Sequence, residues 1–589
     1  MLNIKVCSPF KLYCDLTGNY HAICHYSYNL PYAHTKKWEQ WQTYPTYKPY
    51  MLEDGTIVLE TSGDKWKPQF EESTDVWRDW YAETSFDYAR TFGSHDVTAL
   101  LLYNQSKYYY PWPYQEIPRG YVGLVGRVTY NYLSRYLFDF NVGYNGSENF
   151  APDKRYGFFP ATSIGWILTE ESWMKNQSIF SYLKLRYSYG IVGNDYMGGR
   201  RFLYLPPEYT LHDGKYEGYG GGQHGYNFGT SNTVFVRGAT EDTSGNPDVT
   251  WETSVKQNIG LDLRTFGDRL NINLDFFKEN RKNILINNDA FITAPSALVA
   301  SPINYGKVNN KGMEIVLNWT DRVGDFRYTI SPNFSYSRNK VVEMAEIRQK
   351  YDYLYRTGHR VNQPFGYEFF QFYQENKTEA AYKEKYGADM PTQLGQANLS
   401  DGDAIYVDLN GDGIITAEDQ HAIGYPDYPE MTFSLNGSFT YKNFDFSMLW
   451  NGATNVGRGL YWPYNPQFGQ FHDQGLVRWV YENSWTPETA ETATLPRLTI
   501  ANEVNNNPLS SVWMVDASYL RLRNLEIGYT IAKVPFLSSA NMRVYANGTN
   551  LLTFSAFKGN DPENVGGGWR NVIRYPMMKV YNIGVRINF

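Results

Sequence analysis

The stretch Met577–Phe589, with the sequence MMKVYNIGVRINF, decides the fold class of this chain. Every second residue is apolar, and these residues would share one face of a β-strand: Tyr581, Ile583, Val585, Ile587 and Phe589. The residues between them would form a mostly polar face: Val580, Asn582, Gly584, Arg586 and Asn588. Because successive side chains of a strand point to opposite faces, this pattern predicts a strand with one apolar and one polar face. Such a strand either closes a β-barrel in the outer membrane of a Gram-negative cell or forms the edge of a soluble all-β domain.

The same alternation recurs along the chain and predicts about 15 strands, many of them paired in hairpins. Their approximate bounds are 9–16, 20–30, 122–131, 136–145, 156–168, 181–190, 258–264, 270–276, 312–320, 326–338, 433–439, 444–450, 513–531, 541–550 and 577–589. A single strand of this kind is a weak signal, but its repetition over the whole chain favours the barrel.

The connections between these strands alternate in length. Short turns fall near residues 133, 267, 322, 442 and 535. Long segments follow on the other side: 31–118, 191–254, 281–311, 339–430 and 453–512. Outer-membrane barrels have short periplasmic turns and long extracellular loops. We therefore predict an all-β chain, a transmembrane antiparallel β-barrel whose long loops face outside and whose polar strand faces line the lumen.

The composition is compatible with that class. Mean hydropathy is −0.52, and no run of 18 apolar residues is present, which excludes a membrane-spanning helix without excluding a barrel. Aromatic residues make up 17% of the chain, as interfacial girdles and aromatic binding surfaces require. The net charge of −7 argues against binding to nucleic acid. Cys7, Cys14 and Cys24 suggest neither a disulfide framework nor a metal site.

The start of the chain does not fit a complete outer-membrane protein. Met1 is not followed by the basic and apolar regions of a secretory signal. Bacterial single-chain barrels have an even number of strands, whereas the predicted number is odd. Either the class is wrong, or strands and a signal that precede Met1 are missing.

Several motifs resemble those of one family. Phe158–Trp166 (FFPATSIGW), followed by Glu171–Lys175 (ESWMK), resembles a signature of SusC/RagA-type TonB-linked outer-membrane proteins. Further matching motifs occur in the family's order: Leu183–Arg186, Tyr189–Gly190, Gly193–Asn194, Trp251–Glu252, Asn258, Gly260, Asp262, Asn310–Gly312, Glu314, Tyr406–Gly413, Trp485–Glu488, Asp516–Asn524, Asn550–Leu552 and Lys558–Glu563. The resemblance covers the chain from about residue 120 to the C-terminus.

The resemblance implies active uptake through a TonB-dependent receptor-like barrel. Members of the family contain an N-terminal plug, are capped by a SusD-like surface lipoprotein, and import oligosaccharides or peptides with energy from TonB. No TonB box, plug or carboxypeptidase-like extension is recognisable here, so residues 1–589 are expected to be a partial barrel that would reach the TonB complex only through the missing N-terminal region.

Two other functions remain open at this point. The barrel could anchor a surface protein or adhesin, or the chain could be a secreted β-rich glycan hydrolase or lectin. The sequence contains no catalytic constellation, so we do not expect an enzyme. Aromatic residues in the predicted loops could stack on sugar rings, although most are expected to pack within their own loops: Trp66, Trp77, Trp80, Trp462 and Tyr464.

Residues 408–419, DLNGDGIITAED, fit a twelve-residue calcium loop. Gly413 at position 6 would allow the sharp turn, and Asp419 at position 12 replaces the usual Glu, as in dockerin loops. The predicted ligands, which include a backbone carbonyl at position 7, are Asp408, Asn410, Asp412, Ile414, Thr416 and Asp419. The alternative is a turn rich in Asp, Asn and Gly that binds no metal. A bound Ca²⁺ would brace the 339–430 loop rather than catalyse a reaction.

Overall fold

The computed structural model is built mainly of antiparallel strands. It describes residues 2–4, 10–17, 20–30, 32–39, 46–52, 54, 56–62, 69–76, 78–109, 118–198, 201–205, 209–211, 225–228, 234–237, 239–241, 245–288, 301–394, 399–460, 478–499, 505–532, 541–557, 561–563 and 577–588. The chain divides into two compact units, which are described separately: Met1–Tyr130 with Asp139–Pro160, and Asn131–Phe138 with Ala161–Phe589.

The first unit contains nine strands or strand segments of its own. They are β1 (Leu2–Ile4), β2 (Phe10–Thr17), β3 (Tyr20–Asn29), β4 (Tyr32–Glu39), β5 (Thr46–Met51), β6 (Ile57–Ser62), β7 (Gln69–Val76), β8 (Arg78–Phe92) and β9 (His95–Tyr109). Three more strands have residues in both units: β10 (Arg119–Tyr132), β11 (Tyr136–Ser147) and β12 (Tyr156–Ile167). Strands β2, β3, β8 and β9 pair in that order, all antiparallel. The hairpin β2–β3 confirms the strands predicted at 9–16 and 20–30.

The prediction of one uninterrupted loop over 31–118 was wrong. Strands β8 and β9 lie within that range and form a hairpin that turns at Gly93, whose φ of 61° is in the left-handed region. The alternation in β8 is obscured because Tyr81, an aromatic residue, lies on the same face as Glu83 and donates its hydroxyl hydrogen to the Glu83 carboxylate. An aromatic ring on the polar face weakens the period-2 signal by which strands are recognised.

The second unit contains the other strands and both α-helices. The strands are β13 (Phe180–Asn194), β14 (Tyr209–Leu211), β15 (Gly225–Phe228), β16 (Val234–Arg237), β17 (Ala239–Glu241), β18 (Glu252–Thr265), β19 (Leu270–Ile286), β20 (Ile303–Val323), β21 (Phe326–Glu343), β22 (Phe365–Tyr367), β23 (Phe369–Phe372), β24 (Ala404–Tyr406), β25 (Gln420–Ala422), β26 (Met431–Tyr441), β27 (Phe444–Thr454), β28 (Gly457–Gly459), β29 (Met514–Asp516), β30 (Tyr519–Ile531), β31 (Asn541–Ser555) and β32 (Val580–Asn588). The helices are α1 (Thr378–Tyr386) and α2 (Arg478–Asn483), with 3₁₀ turns at Leu168–Glu170, Asp352–Leu354, Ala417–Asp419 and Ser511–Trp513.

The main sheet of this unit follows the chain. Its strands pair antiparallel in the order β12, β13, β18, β19, β20, β21, β26, β27, β30, β31 and β32. The remaining strands form small two-stranded sheets: β14–β17, β15–β16, β22–β25, β23–β24 and β28–β29. Because strands that follow each other in the chain are antiparallel, successive connections lie at alternate ends of the sheet.

The register keeps the two faces of the sheet chemically distinct. Asn582 of β32 is paired with Asn547 of β31, and its side-chain amide donates to the Asn547 side-chain oxygen at 3.0 Å. The next pair, Ile583 and Ala546, lies on the opposite face, where Ile583 is 85% exposed. The polar and apolar faces predicted for the last strand are therefore confirmed over Val580–Asn588.

The connections differ in length at the two ends of the sheet, as predicted. Residues 266–269, 324–325 and 442–443 are short turns at one end, whereas residues 344–430 and 455–518 connect strands at the other. The long segment predicted at 281–311 was wrong in its bounds, because β19 continues to Ile286 and β20 begins at Ile303. We call the end with the short turns the short-turn rim.

Two long connections have hydrophobic cores of their own. Buried side chains in residues 344–430 pack together with Phe369 and Leu394 around them: Tyr367, Ala404, Tyr406 and Ile415. A second cluster lies largely in residues 455–518: Leu460, Val480, Leu495, Trp513 and Phe557. These connections are thus folded structures. Within the described residues, no helix is long and apolar enough to cross a membrane.

Candidate functional site

The predicted calcium loop, 408–419, lies in the long connection 344–430. It follows strand β24 and ends in the 3₁₀ turn Ala417–Asp419. Gly411 and Gly413 have φ angles of 77° and 82°, which are accessible to glycine at little cost. The backbone around Gly413 is held by Thr392, whose N–H donates to the Gly413 carbonyl at 2.9 Å and whose carbonyl accepts from the Ile415 N–H at 2.8 Å. The sharp turn predicted at Gly413 is confirmed.

The first three predicted ligand side chains accept hydrogen bonds from the loop's own backbone. The Asp408 carboxylate accepts from the N–H groups of Gly411 at 2.6 Å and Gly413 at 2.8 Å. The side-chain oxygen of Asn410 accepts from the Asp412 N–H at 2.8 Å, and the Asp412 carboxylate accepts from Ile414 at 3.0 Å. These bonds shape the turn.

Asp419 closes the loop from its last position. Its carboxylate is fully buried and accepts from the N–H groups of Leu409 at 2.9 Å and Thr416 at 2.8 Å. The Thr416 hydroxyl oxygen in turn accepts from the Glu418 N–H at 3.2 Å, which completes a capping arrangement at the 3₁₀ turn. Burial raises the pKa of Asp419, and the nearby Asp408 carboxylate acts in the same direction.

Calcium binding by this loop stays a prediction. Among the residues that the structure describes, which include all of 408–419, no group of three or more His, Cys, Asp or Glu side chains is placed to hold a metal ion. The predicted ligands also include Asn410, Thr416 and the Ile414 carbonyl, which are not among these residue types.

Glu418 is a loop residue whose role the sequence did not reveal. Its carboxylate accepts from the Lys350 ammonium at 2.7 Å, and its carbonyl accepts from the Tyr353 hydroxyl at 2.8 Å. Both partners lie in the segment around the 3₁₀ turn Asp352–Leu354, 65 or more residues earlier in the chain. No pattern within the twelve-residue motif could have identified them.

The polar face of the main sheet carries networks of ion pairs. Arg186 of β13 lies between Asp262 of β18, at 3.3 Å, and Asp275 of β19, at 2.6 Å. Arg543 of β31 forms a similar network with Asp445 of β27 and Glu526 of β30. Each network joins three strands, so charged groups on this face are paired where they are partly removed from water.

A third ion network joins two of the family-like motifs, Asp516–Asn524 and Lys558–Glu563. The Arg521 guanidinium, only 1% exposed, donates to Asp561 at 2.7 Å and also pairs with Glu563. Tyr519 and Arg523 donate to the same Glu563 carboxylate. We call these five side chains the Arg521 network. It fastens the connection that follows β31 to the beginning of β30.

The structure describes one of the five aromatic residues proposed for sugar stacking. Trp80 lies in β8, a strand of the first unit that pairs with β3 and β9, rather than in a loop. Trp66, Trp77, Trp462 and Tyr464 lie outside the described residues.

The fold and its faces define a class of protein. An antiparallel sheet with an apolar face on one side, paired charges on the other, short turns at one end and long connections at the other is the architecture of an outer-membrane β-barrel. No family model matches the chain. Individual proteins, in contrast, match most of the chain.

Curated relatives share 26–27% identity with most of the chain. TonB-dependent receptor P3 of Formosa agariphila is 27% identical over 540 residues, which cover 86% of this chain and 49% of the receptor. TonB-dependent receptor SusC of Bacteroides thetaiotaomicron is 26% identical over 476 residues, or 80% of this chain and 44% of SusC. The chain thus spans about half the length of the curated relatives it matches, and these relatives are TonB-dependent receptors, SusC among them.

Solved structures show the same fold. The RagAB peptide importer in its open-open state aligns with 98% of this chain and 60% of its own chain, with a TM-score of 0.68 at 19% identity. The RagAB peptide transporter gives the same TM-score over 97% of this chain. The predicted class, an integral β-barrel of the outer membrane, is confirmed. The relatives are receptors rather than enzymes, in agreement with the absence of a catalytic motif in the sequence.

Proposed function

We propose that the chain forms the barrel of a TonB-dependent importer that works with a SusD-like surface lipoprotein and carries oligosaccharides or peptides. The observation that supports this function most strongly is the match with TonB-dependent receptors over most of the chain. Coupling to TonB is part of this proposal.

The long connections support the proposed partnership with a lipoprotein. Asp403, fully buried in one connection, accepts from Arg497 of the other at 2.7 Å and from Asn506 at 2.8 Å. The Asn506 side-chain oxygen accepts from the Ala404 N–H at 2.8 Å. Hydrogen bonds around the buried Asp403 therefore hold residues 344–430 and 455–518 together. A preformed surface of this kind can bind a partner without the entropic cost of ordering loops.

Uptake by intact cells tests this function. Deletion of the gene that contains this barrel should abolish the import of either a labelled oligosaccharide set or a labelled peptide set, and loss of TonB should have the same effect. Affinity purification of the native protein should also recover a lipoprotein. If the deletion leaves uptake unchanged and instead removes cell attachment, the surface-anchor function is correct and the importer is not.

We also propose that residues 408–419 bind Ca²⁺ and that the ion stabilises the connection 344–430. The loop geometry supports this idea: Gly413 at position 6 makes the sharp turn with a φ of 82°, and Asp419 at position 12 is buried at the end of the loop. At a calcium concentration one hundred times Kd, binding would stabilise the folded loop by about 2.7 kcal/mol.

The calcium proposal predicts a change in protease resistance. In the purified native protein, EGTA should speed cleavage within 344–430 roughly tenfold or more, and added Ca²⁺ should restore resistance. Asp408→Asn combined with Asp412→Asn should remove the effect. Asp389→Asn, which alters an exposed carboxylate of the same connection that pairs with Lys383, serves as the matched control. Equal cleavage rates with EGTA and Ca²⁺, and no heat in calorimetry, would show that the turn needs no ion.

A further inference from the structure

Three neighbouring strands of the main sheet, β19, β20 and β21, carry positive charges at the same level. Lys278 of β19 is paired with Lys311 of β20, and Lys311 is paired in turn with Arg338 of β21. All three residues are exposed. Because neighbouring strands are about 4.8 Å apart, the three cations originate within about 10 Å of one another. We call Lys278, Lys311 and Arg338 the cation row.

The register places the cation row at the edge of the apolar face. Two residues nearer the short-turn rim, Phe276, Met313 and Tyr336 are paired across the same three strands. Side chains two residues apart share a face, and Phe276 is 55% exposed on it. The apolar face continues from there toward the rim: Leu274, Ile315, Phe334, Ile272, Leu317, Leu270, Trp319 and Ile330. The cation row therefore borders this apolar band on the side of the long connections.

The protein itself compensates little of the charge of the cation row. In the part of the chain that the structure describes, neither Lys278 nor Lys311 forms an ion pair with a carboxylate. The Nε of Arg338 lies 3.6 Å from the Glu430 carboxylate, but Arg360 pairs with the same carboxylate. One acidic group is thus divided between two guanidinium groups, and the row keeps a net positive charge.

Such an arrangement is unfavourable in the absence of a bound anion. Like charges directly opposite each other on neighbouring strands destabilise a sheet. At the other end of the same face the charges are treated differently, because Asp321 of β20 pairs with Arg269 at 3.3 Å. At the cation row, the charge is left available to an external anion.

The position of Lys311 is fixed by its two neighbours, which belong to the same family-like motif. The side-chain oxygen of Asn310 accepts from the Ser337 hydroxyl at 2.9 Å. Gly312 allows close packing, since a Cβ at this position would lie 2.5 Å from the Phe277 ring. Both contacts lie on the polar face. They hold β20 in place and so direct Lys311 to the apolar face.

The surroundings of the cation row define the chemistry of its ligand. A molecule at this place would meet cations at one end and apolar side chains at the other, so it should combine an anionic headgroup with an apolar tail. Lys340 is also exposed, two residues beyond Arg338, and adds a fourth positive charge. Arginine and lysine bind phosphate through charge-assisted hydrogen bonds. The ligand expected here is therefore a phosphorylated lipid.

The level of the row selects one class of phosphorylated lipid. The row lies at the end of the strands that leads into the long connections, and these are predicted to face outside. Its level is then that of the outer leaflet. In a Gram-negative outer membrane this leaflet consists mainly of lipopolysaccharide, whose phosphate groups lie directly above its acyl chains.

We propose that the cation row, together with Lys340, binds the phosphate groups of an outer-leaflet lipopolysaccharide, and that the acyl chains of this lipid lie against Phe276 and Met313. The site requires that the barrel lies in the outer membrane with its long connections outward. It does not depend on the import of nutrients.

Retention of lipopolysaccharide by the purified protein tests the site. The full native protein is extracted from outer membranes in detergent with EDTA, which removes divalent cations that bridge the phosphates of this lipid. Native mass spectrometry then gives the bound lipid per protein. The combined substitutions Lys278→Gln, Lys311→Gln and Arg338→Gln should lower it roughly tenfold, because charge-assisted hydrogen bonds to phosphate are lost. Lys278→Arg with Lys311→Arg should retain the lipid.

The matched control removes the same three charges elsewhere. Lys383→Gln, Lys385→Gln and Arg478→Gln are combined, since these exposed residues lie in the long connections. This variant should bind as much lipopolysaccharide as the unaltered protein. Heat-modifiable gel mobility shows whether each variant is folded.

Added lipids identify the headgroup. Lipopolysaccharide should stabilise the lipid-free, unaltered protein against heat, whereas the same lipid after enzymatic dephosphorylation should not, and the triple variant of the cation row should gain nothing. If that variant retains the lipid, or if the dephosphorylated lipid stabilises equally, the row does not bind phosphate. Equal stabilisation by phosphatidylglycerol would also overturn the proposal, because the row would then bind phospholipid headgroups without preference for the outer-leaflet lipid.

Discussion

Replacement of Arg521 by leucine is expected to lower the free energy of unfolding by about 3–5 kcal/mol. The guanidinium is buried against Asp561 and Glu563, and its removal leaves two carboxylates with Arg523 as the remaining cation of the network. Because a buried charge without a partner is costly, the loss should be much larger than that of a surface ion pair. Unfolding in urea, followed by the loss of heat-modifiable gel mobility, measures this change.

Arg478→Leu provides the comparison. Arg478 also pairs with a carboxylate, that of Glu482, but its side chain is 89% exposed. A pair so exposed to water contributes little to stability. Equal effects of the two substitutions would mean that the Arg521 network does not hold the connection after β31 in the native protein.

The second large effect is expected on the apolar face of the last strand. Ile583→Arg should destabilise the protein in a bilayer by about 2–4 kcal/mol if the residue lies near the membrane midplane. The cause is the transfer of a charged side chain into hydrocarbon. In a water-exposed sheet the same substitution would have almost no effect, since Ile583 already has most of its surface uncovered.

Asn582→Arg is the internal control for this experiment. Asn582 precedes Ile583 in β32 and lies on the polar face beside Asn547. The added charge would enter polar surroundings, so the expected loss is below about 1 kcal/mol. Folding into phospholipid vesicles at a series of urea concentrations gives both values. If the two variants are equally stable, the apolar face does not contact lipid.

The strands could be predicted because the alternation of apolar and polar residues lies within each strand's own sequence. Tyr581, Ile583 and Val585 alternate with polar residues, and the register with β31 places them on one face. The β8–β9 hairpin was not predicted, because Tyr81 on the polar face of β8 disturbs this alternation. Turn geometry at Gly411 and Gly413 was also local, and it is present in the structure.

The contacts between distant segments could not be predicted from one sequence. Arg521 and Glu563 are 42 positions apart, and Lys350 and Glu418 are 68 apart. In the sequence alone, nothing distinguishes each of these paired side chains from a solvated surface charge. The sequence motifs that contain Arg521 and Glu563 were recognised separately, but only the folded chain shows that they bind each other.

The buried Asp403 network has a consequence for recombination between related receptors. Asp403 belongs to one long connection, whereas Arg497 and Asn506 belong to the other. A chimera that takes one connection from a receptor without these residues would leave the buried Asp403 carboxylate, or the Arg497 and Asn506 side chains, without their counterparts. Viable grafts should therefore transfer residues 344–430 and 455–518 as a pair, so that the two segments act as one exchangeable module.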